Sequence, residues 1–167
     1  MAKLHVKRIV LAEDSGPDVI LVEETLRRAG IEAELRVFPD GEECARHLTA
    51  SKELPDAIIV DLNLPRIDGF ELLRVVRGDR RYDGVPVAVL TSSKAEEDRQ
   101  RSFELGANAF ITKPVRLDDF VQKVGSEMRR LLSSPGGAET LRVACRPPRR
   151  GRFPMHPKTW RSVPDAG

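Results

Sequence analysis

Apolar residues run almost without interruption through three short segments of the chain: residues 8–12 (Arg-Ile-Val-Leu-Ala), 57–60 (Ala-Ile-Ile-Val) and 85–90 (Val-Pro-Val-Ala-Val-Leu). Runs of this length without a polar face predict strands covered on both sides, as in the centre of a parallel sheet. Residues 33–37 (Ala-Glu-Leu-Arg-Val) alternate apolar and charged positions, and residues 109–111 (Ala-Phe-Ile) are shorter still. Those two read as edge strands. Between the strands the period changes to that of a helix. Val19, Val22, Leu26 and Ala29 form a stripe with Glu23, Glu24, Arg27 and Arg28 opposite, and Gly30 stops it. Similar stripes are Phe70, Leu73 and Val76, and Leu117, Val121, Val124 and Met128. Residues 95–105 are charged nearly all round apart from Phe103 and Leu105, so the fourth helix is predicted to be the most exposed.

Five strands alternating with five helices predict an α/β fold, because parallel neighbours need long right-handed crossovers. With the second and fifth strands at the edges, the expected architecture is a flavodoxin-like, doubly wound, five-stranded parallel sheet of order 2-1-3-4-5 with helices on both faces. That order puts the topological switch point between the first and third strands, so a ligand site is expected at their carboxyl ends.

Composition narrows the chemistry. At 167 residues the chain suits one domain and an extension. The net charge of +2 conceals a division, since residues 1–132 carry −3 and residues 133–167 carry +5. Six of the 12 prolines also fall in the second segment, and no helix or strand period survives there. We therefore expect a domain over 1–132 and a basic Pro/Arg-rich tail over 133–167, disordered by composition. Two cysteines and three histidines, all scattered, offer no zinc spacing, disulfide framework or Ser/His/Asp set. Neither a signal peptide nor a membrane span is evident, so a reducing, cytoplasmic setting is expected.

Four of the five strand ends carry chemistry. The first ends in Glu13-Asp14, the third in Asp61, the fourth in Thr91-Ser92-Ser93 and the fifth in Thr112-Lys113-Pro114; the second ends in Phe38-Pro39-Asp40, which suggests no chemistry. Each has an ordinary structural explanation taken alone. Ser15 with Asp18 and Pro17 reads as a capped helix start, and Thr91, Ser92 or Ser93 could cap the fourth helix. Together they place three carboxylates, a hydroxyl and an ammonium group in one crevice. Three adjacent carboxylates repel, and a hard divalent cation such as Mg2+ relieves the conflict. Asp61 could then act as nucleophile toward a phosphodonor, with Lys113 and the Thr91 hydroxyl on the phosphoryl oxygens.

These motifs resemble the receiver domain of two-component response regulators: Glu13-Asp14-Ser15, Asp61-Leu62-Asn63-Leu64-Pro65 leading to Asp68-Gly69, Thr91-Ser92-Ser93, and Lys113-Pro114, within residues 7–132. The resemblance implies that Asp61 is the phosphoacceptor, that Glu13, Asp14, Asp61 and the backbone carbonyl of Asn63 hold Mg2+, and that Thr91 and Lys113 contact the phosphoryl group. It also implies that Thr91 and Phe110 form the switch pair and that the bond before Pro114 is cis. The Asp-Leu-Asn-Leu-Pro stretch, with Thr-Ser-Ser and Asn108 to Pro114, looks most like stand-alone regulators that partner phytochrome-type sensor histidine kinases.

What that resemblance implies is a phosphoacceptor signalling protein, not an enzyme on small substrates, which switches contacts with a downstream protein target and could self-associate through its fourth-helix face. A phosphatase of the haloacid-dehalogenase type would need a second Asp two residues after the first, where this chain has Asn63. The alternative reading is an idle receiver whose basic tail (Arg142, Arg146, Arg149, Arg150, Arg152, Lys158, Arg161) binds a partner or nucleic acid. The tail lacks a recognition helix and has only Phe153 and Trp160 for stacking, which disfavours nucleic acid.

Overall fold

Strand β1 (Lys7–Ala12) pairs with two parallel neighbours at once, Ile9 standing opposite Leu35 of β2 (Ala33–Phe38) and opposite Ala57 of β3 (Ala57–Val60). In this computed structural model, which describes residues 6–133, the sheet continues through β4 (Val87–Thr91) to β5 (Ala109–Thr112), giving the expected order β2-β1-β3-β4-β5. Helices α1 (Gly16–Arg28), α2 (Gly41–Ala50), α3 (Gly69–Gly78), α4 (Glu96–Glu104) and α5 (Leu117–Ser133) link and follow the strands, with a 3-10 turn at Arg80–Tyr82.

Alternate residues of a strand point to opposite faces, so the buried strands feed two cores. Val10, Val60 and Val89 join Cys44, Leu48, Leu73 and Tyr82 on the face covered by α2 and α3. Ile9, Leu11 and Ile59 join Val22, Leu26, Phe120 and Met128 on the face covered by α1 and α5. Every residue of β3 and β4 is buried, whereas β2 alternates half-buried and exposed positions, as an edge strand should.

Several local expectations shift. Strand β4 begins at Val87 instead of 85: Pro86 has no N–H to give a ladder, although its carbonyl accepts a 2.9 Å bond from Ile58 N. The buried stripe of α5 is Phe120, Val124, Met128 and Leu131; Leu117 is exposed and Val121 half-buried. The cause is Gly125, where a Cβ would come within 3.3 Å of Ala29 Cβ, so α5 lies close against α1 along that line. Helix α4 buries only Ser102 and is the most exposed, as expected. Its N-cap is Ala95, without a side-chain bond, and not one of the three hydroxyl residues before it. Ser93 instead accepts from Ala95 N and donates to Asp98. Asp40, at the end of β2 that suggested no chemistry, is buried and caps α2 by accepting from Glu43 N at 2.7 Å. Apart from Ser133, the predicted tail lies outside the described residues, among which no helix is long and apolar enough to cross a membrane.

Candidate functional site

The carboxyl ends of β1, β3 and β5 meet because β1 and β3 are neighbours and the chain turns out of each in the same direction. Asp61 N donates to Ala12 O at 3.0 Å, and Glu13 N donates to Phe38 O at 3.0 Å, which continues both ladders to the strand ends. One carboxylate oxygen from each of Glu13, Asp14 and Asp61 lies within 4.8 Å of the others. Glu13 and Asp61 are buried, at 2% and 5% exposure, while Asp14 faces solvent.

Lys113 projects into the centre of this cluster. Its Nζ donates to Glu13 Oε2 at 2.7 Å, Asp61 Oδ2 at 2.8 Å and Asp18 Oδ2 at 2.8 Å. Its own amide donates to Thr91 O at 2.7 Å, so the end of β4 is tied to the lysine that meets the acids. The expected cis bond before Pro114 is a correction: the described residues contain no cis peptide, and the Lys113–Pro114 bond is trans. Trans is the intrinsically favoured isomer of a prolyl bond, and the amide bond to Thr91 already aims the lysine at its partners.

The second oxygens of the two buried acids are satisfied locally. Glu13 Oε1 accepts from Ser15 N at 3.0 Å and Asp61 Oδ1 accepts from Asn63 N at 3.1 Å. Burial pushes the Glu13 carboxyl above the ordinary carboxylate range, even though Lys113 and Ser15 pull it down. Burial works against the Lys113 ammonium as well, but bonds to Asp18, Asp61 and Glu13 outweigh it and hold the lysine above its ordinary value.

Beyond Asp61 the chain must turn sharply, and Gly69 permits it. A Cβ there would run into the Asp61 carbonyl oxygen and lie 2.7 Å from Leu62 Cα. Gly69 N instead donates to Leu62 O at 3.0 Å, with Leu62 and Leu64 buried and Asp68 capping α3 through Glu71 N. Thr91 is fully buried at the end of β4, its Oγ1 accepting from Ser93 N at 3.3 Å. Phe110 is half-buried against the core that contains Val60 and Val89.

The structure thus gathers Glu13, Asp14, Asp61 and Lys113 in one crevice, fixes Thr91 beside Lys113 through the backbone, and sets Phe110 on the adjoining core. Sequence reasoning missed Asp18 as a member. Its spacing from Ser15 marks a helix start, and Ser15 does cap α1 by accepting from Asp18 N at 3.4 Å. The spare signal was that the first turn of α1 begins at the strand end bearing the acids, so an Asp there faces the same crevice. Three carboxylates on one ammonium, with Asp14 beside two of them, leave an excess of negative charge and hard oxygen donors, which fits a small divalent cation.

The comparisons with known proteins agree in kind. A family model described as the response regulator receiver domain matches residues 9–125. Response regulator Rcp1 of Synechocystis sp. is 37% identical over 123 residues, spanning 71% of this chain and 84% of Rcp1. The crystal structure of the phosphorylated cyanobacterial phytochrome response regulator RcpA superposes with a TM-score of 0.72 at 34% identity, covering 77% of this chain and 96% of that one. The Mn(2+)-bound form of Rcp1 gives a TM-score of 0.70, also at 34% identity, with the same coverage.

Proposed function

Because the chain belongs to the response regulator receiver family, phosphoacceptor modules of two-component signalling, we propose that Asp61 is its phosphoacceptor and that a sensor histidine kinase is its donor. The observation that carries this reading is the ammonium of Lys113 bridging Asp61 and Glu13 deep in an acidic crevice. A surface aspartate that merely caps a helix has no need of such a partner.

In the proposed reaction an Asp61 carboxylate oxygen attacks the donor's phosphorus, a new O–P bond forms, and the bond to the donor's leaving atom breaks with its electron pair. Lys113, already 2.8 Å from Asp61 Oδ2, stays beside the nascent acyl phosphate and neutralises its oxygens. The Thr91 hydroxyl, buried at the adjacent strand end, turns from its local bond with Ser93 N toward one of those oxygens, and Phe110 repacks behind it. The modification adds roughly −1.5 to −2 charge at one point, which biases an existing two-state arrangement of the β4–α4 loop. Glu13, Asp14, Asp61 and the Asn63 backbone carbonyl would hold Mg2+, which when bound supplies charge neutralisation for the transferring phosphoryl group. The existence of a Mn(2+)-bound form of the similar regulator Rcp1 supports divalent-ion binding by this chain.

The likeness to Rcp1 and to the phytochrome response regulator RcpA supports a kinase of phytochrome type. In this proposal the chain is a cytoplasmic receiver over residues 1–132, with 133–167 as an extension and output through protein contacts.

Incubation of the full chain with acetyl phosphate, with and without Mg2+, followed by intact mass measurement, tests the proposal. One added phosphate that requires Mg2+ and is lost in Asp61→Asn is expected. Equal loading of Asp61→Asn would overturn it.

A further inference from the structure

We propose that Arg66 is a positioning residue for this site: by binding carboxylates at the start of α2 it holds the loop after Asp61 in the turn that sets Asn63. The inference rests on the function proposed above.

Arg66 is the only non-glycine residue at positive φ among the described residues, at 70°. That left-handed conformation suits glycine and brings a side chain's Cβ against its own backbone. A residue that stays there needs a compensating contact, and Arg66 has two. Its Nη1 lies 3.1 Å from Glu42 Oε2 and its Nε 3.6 Å from Asp40 Oδ2.

Both carboxylates belong to the N-terminal end of α2, and Asp40 is itself held in place as the cap of that helix. The two backbones are pressed together at the same point. Gly41 N donates to Pro65 O at 3.4 Å, and a Cβ on Gly41 would collide with the Ile67 carbonyl. The loop is therefore fixed at Leu62 and Leu64 by burial, at Asp68 by its cap of α3, at Gly69 by the close approach to Asp61, and toward α2 by the guanidinium of Arg66. Asn63 lies inside this clamped stretch, with its amide on Asp61 Oδ1 and its carbonyl offered to the metal in the proposed function. The guanidinium itself is largely exposed, so its contribution to overall stability is small. What it selects is one loop conformation over others of similar energy.

The test is Mg2+ affinity of the full chain by isothermal titration calorimetry, with Asn63 followed by amide NMR and thermal midpoints recorded alongside. Arg66→Ala, Arg66→Gly and Glu42→Gln are expected to bind Mg2+ about tenfold more weakly, the size usual for lost outer-shell support, while Arg66→Lys retains most of the affinity. Arg66→Gly is the deciding variant, because glycine accepts the turn without cost and keeps the fold while removing the cation. Combining Arg66→Ala with Glu42→Gln should add little to either alone. Wild-type affinity in both Arg66→Ala and Arg66→Gly overturns the inference. If wild type loads phosphate on Asp61 while the variants bind Mg2+ equally well, this inference fails and the proposed function stands. A wild type that takes up no Mg2+ overturns both.

Discussion

Asp18 Oδ2 accepts a 2.8 Å hydrogen bond from the Nζ of Lys113, a residue 95 positions later in the chain. The bond joins the first turn of α1 to the end of β5 across the crevice and divides one ammonium among three acids. Lys113 therefore serves the resting fold before any phosphoryl chemistry begins.

Lys113→Ala should cost about 3 kcal/mol of stability in metal-free buffer, because Glu13 and Asp61 are buried and would lose the charge that compensates them. Urea denaturation measures this. Mg2+ should restore more stability to the variant than it adds to wild type, since in the variant it replaces a missing cation. No difference between the two proteins in metal-free buffer would show that the lysine does not compensate these acids.

The acidic cluster also predicts a pH dependence. Burial raises the Glu13 carboxyl above its ordinary 4.5, so the folded state holds that proton where the unfolded chain has lost it. Glu13 therefore favours the fold most below pH 4.5, and this contribution is lost as pH rises through the raised value. A divalent ion needs the ionised form, so Mg2+ affinity should climb through the same window with release of a proton. Calorimetry in buffers of different ionisation enthalpy would detect the proton, and Glu13→Gln should abolish its release. Lys113 behaves in the same sense on the alkaline side: its contribution is complete below pH 10.5 and is lost only as pH passes its raised value.

Arg77 is a second, half-buried cation, and among the described residues it forms no ion pair with a carboxylate. Its guanidinium donates to Gly106 O at 2.9 Å, Tyr82 O at 2.6 Å, Val85 O at 3.0 Å and Asn108 Oδ1 at 2.8 Å. Burial lowers its proton affinity, offset in part by Asp83. Arg77→Met should destabilise the fold by about 3 kcal/mol, because three carbonyls in the turns flanking β4 lose their donor together. Chemical denaturation checks the magnitude, and hydrogen exchange should show the loss concentrated around residues 82–87 and 105–109.

Gly69→Ala should act at the site and not only on stability. The added Cβ would meet the Asp61 carbonyl oxygen and Leu62 Cα, so the strand end bearing Asp61 must move. A loss of about 1–3 kcal/mol is expected, typical of overpacking. Phosphate loading from acetyl phosphate should fall more than thermal stability does. Unchanged loading would mean that the crevice tolerates a displaced Asp61.

The local rules read well wherever burial is simple. Uninterrupted apolar runs identified β1, β3 and β4, and the alternation of Ala33 to Val37 identified an edge, because a strand's environment is written in its own side chains. Those rules read less well where one element's face depends on another. The buried stripe of α5 includes Phe120 and Leu131 and leaves out Leu117, a choice made by the close approach of Gly125 to Ala29. Asp40 caps α2 and Asp18 follows the Ser15 cap in the first turn of α1, both local roles; their further partners, Arg66 and Lys113, come from distant parts of the chain. A cap is a local pattern, whereas a shared cation is visible only after the strands are in order.

By itself the sequence determined that five strands alternate with five helices, which strands are central, and which strand ends carry acids, hydroxyls and a lysine. Those features follow from residue type and period. Only the tertiary structure decided that Lys113 spans Glu13, Asp18 and Asp61 at once, that its bond to Pro114 is trans, and that Arg66 accepts a left-handed turn to reach Glu42. These depend on distances between segments far apart in the chain, and such distances are set by how β1, β3 and β5 and the helices between them pack.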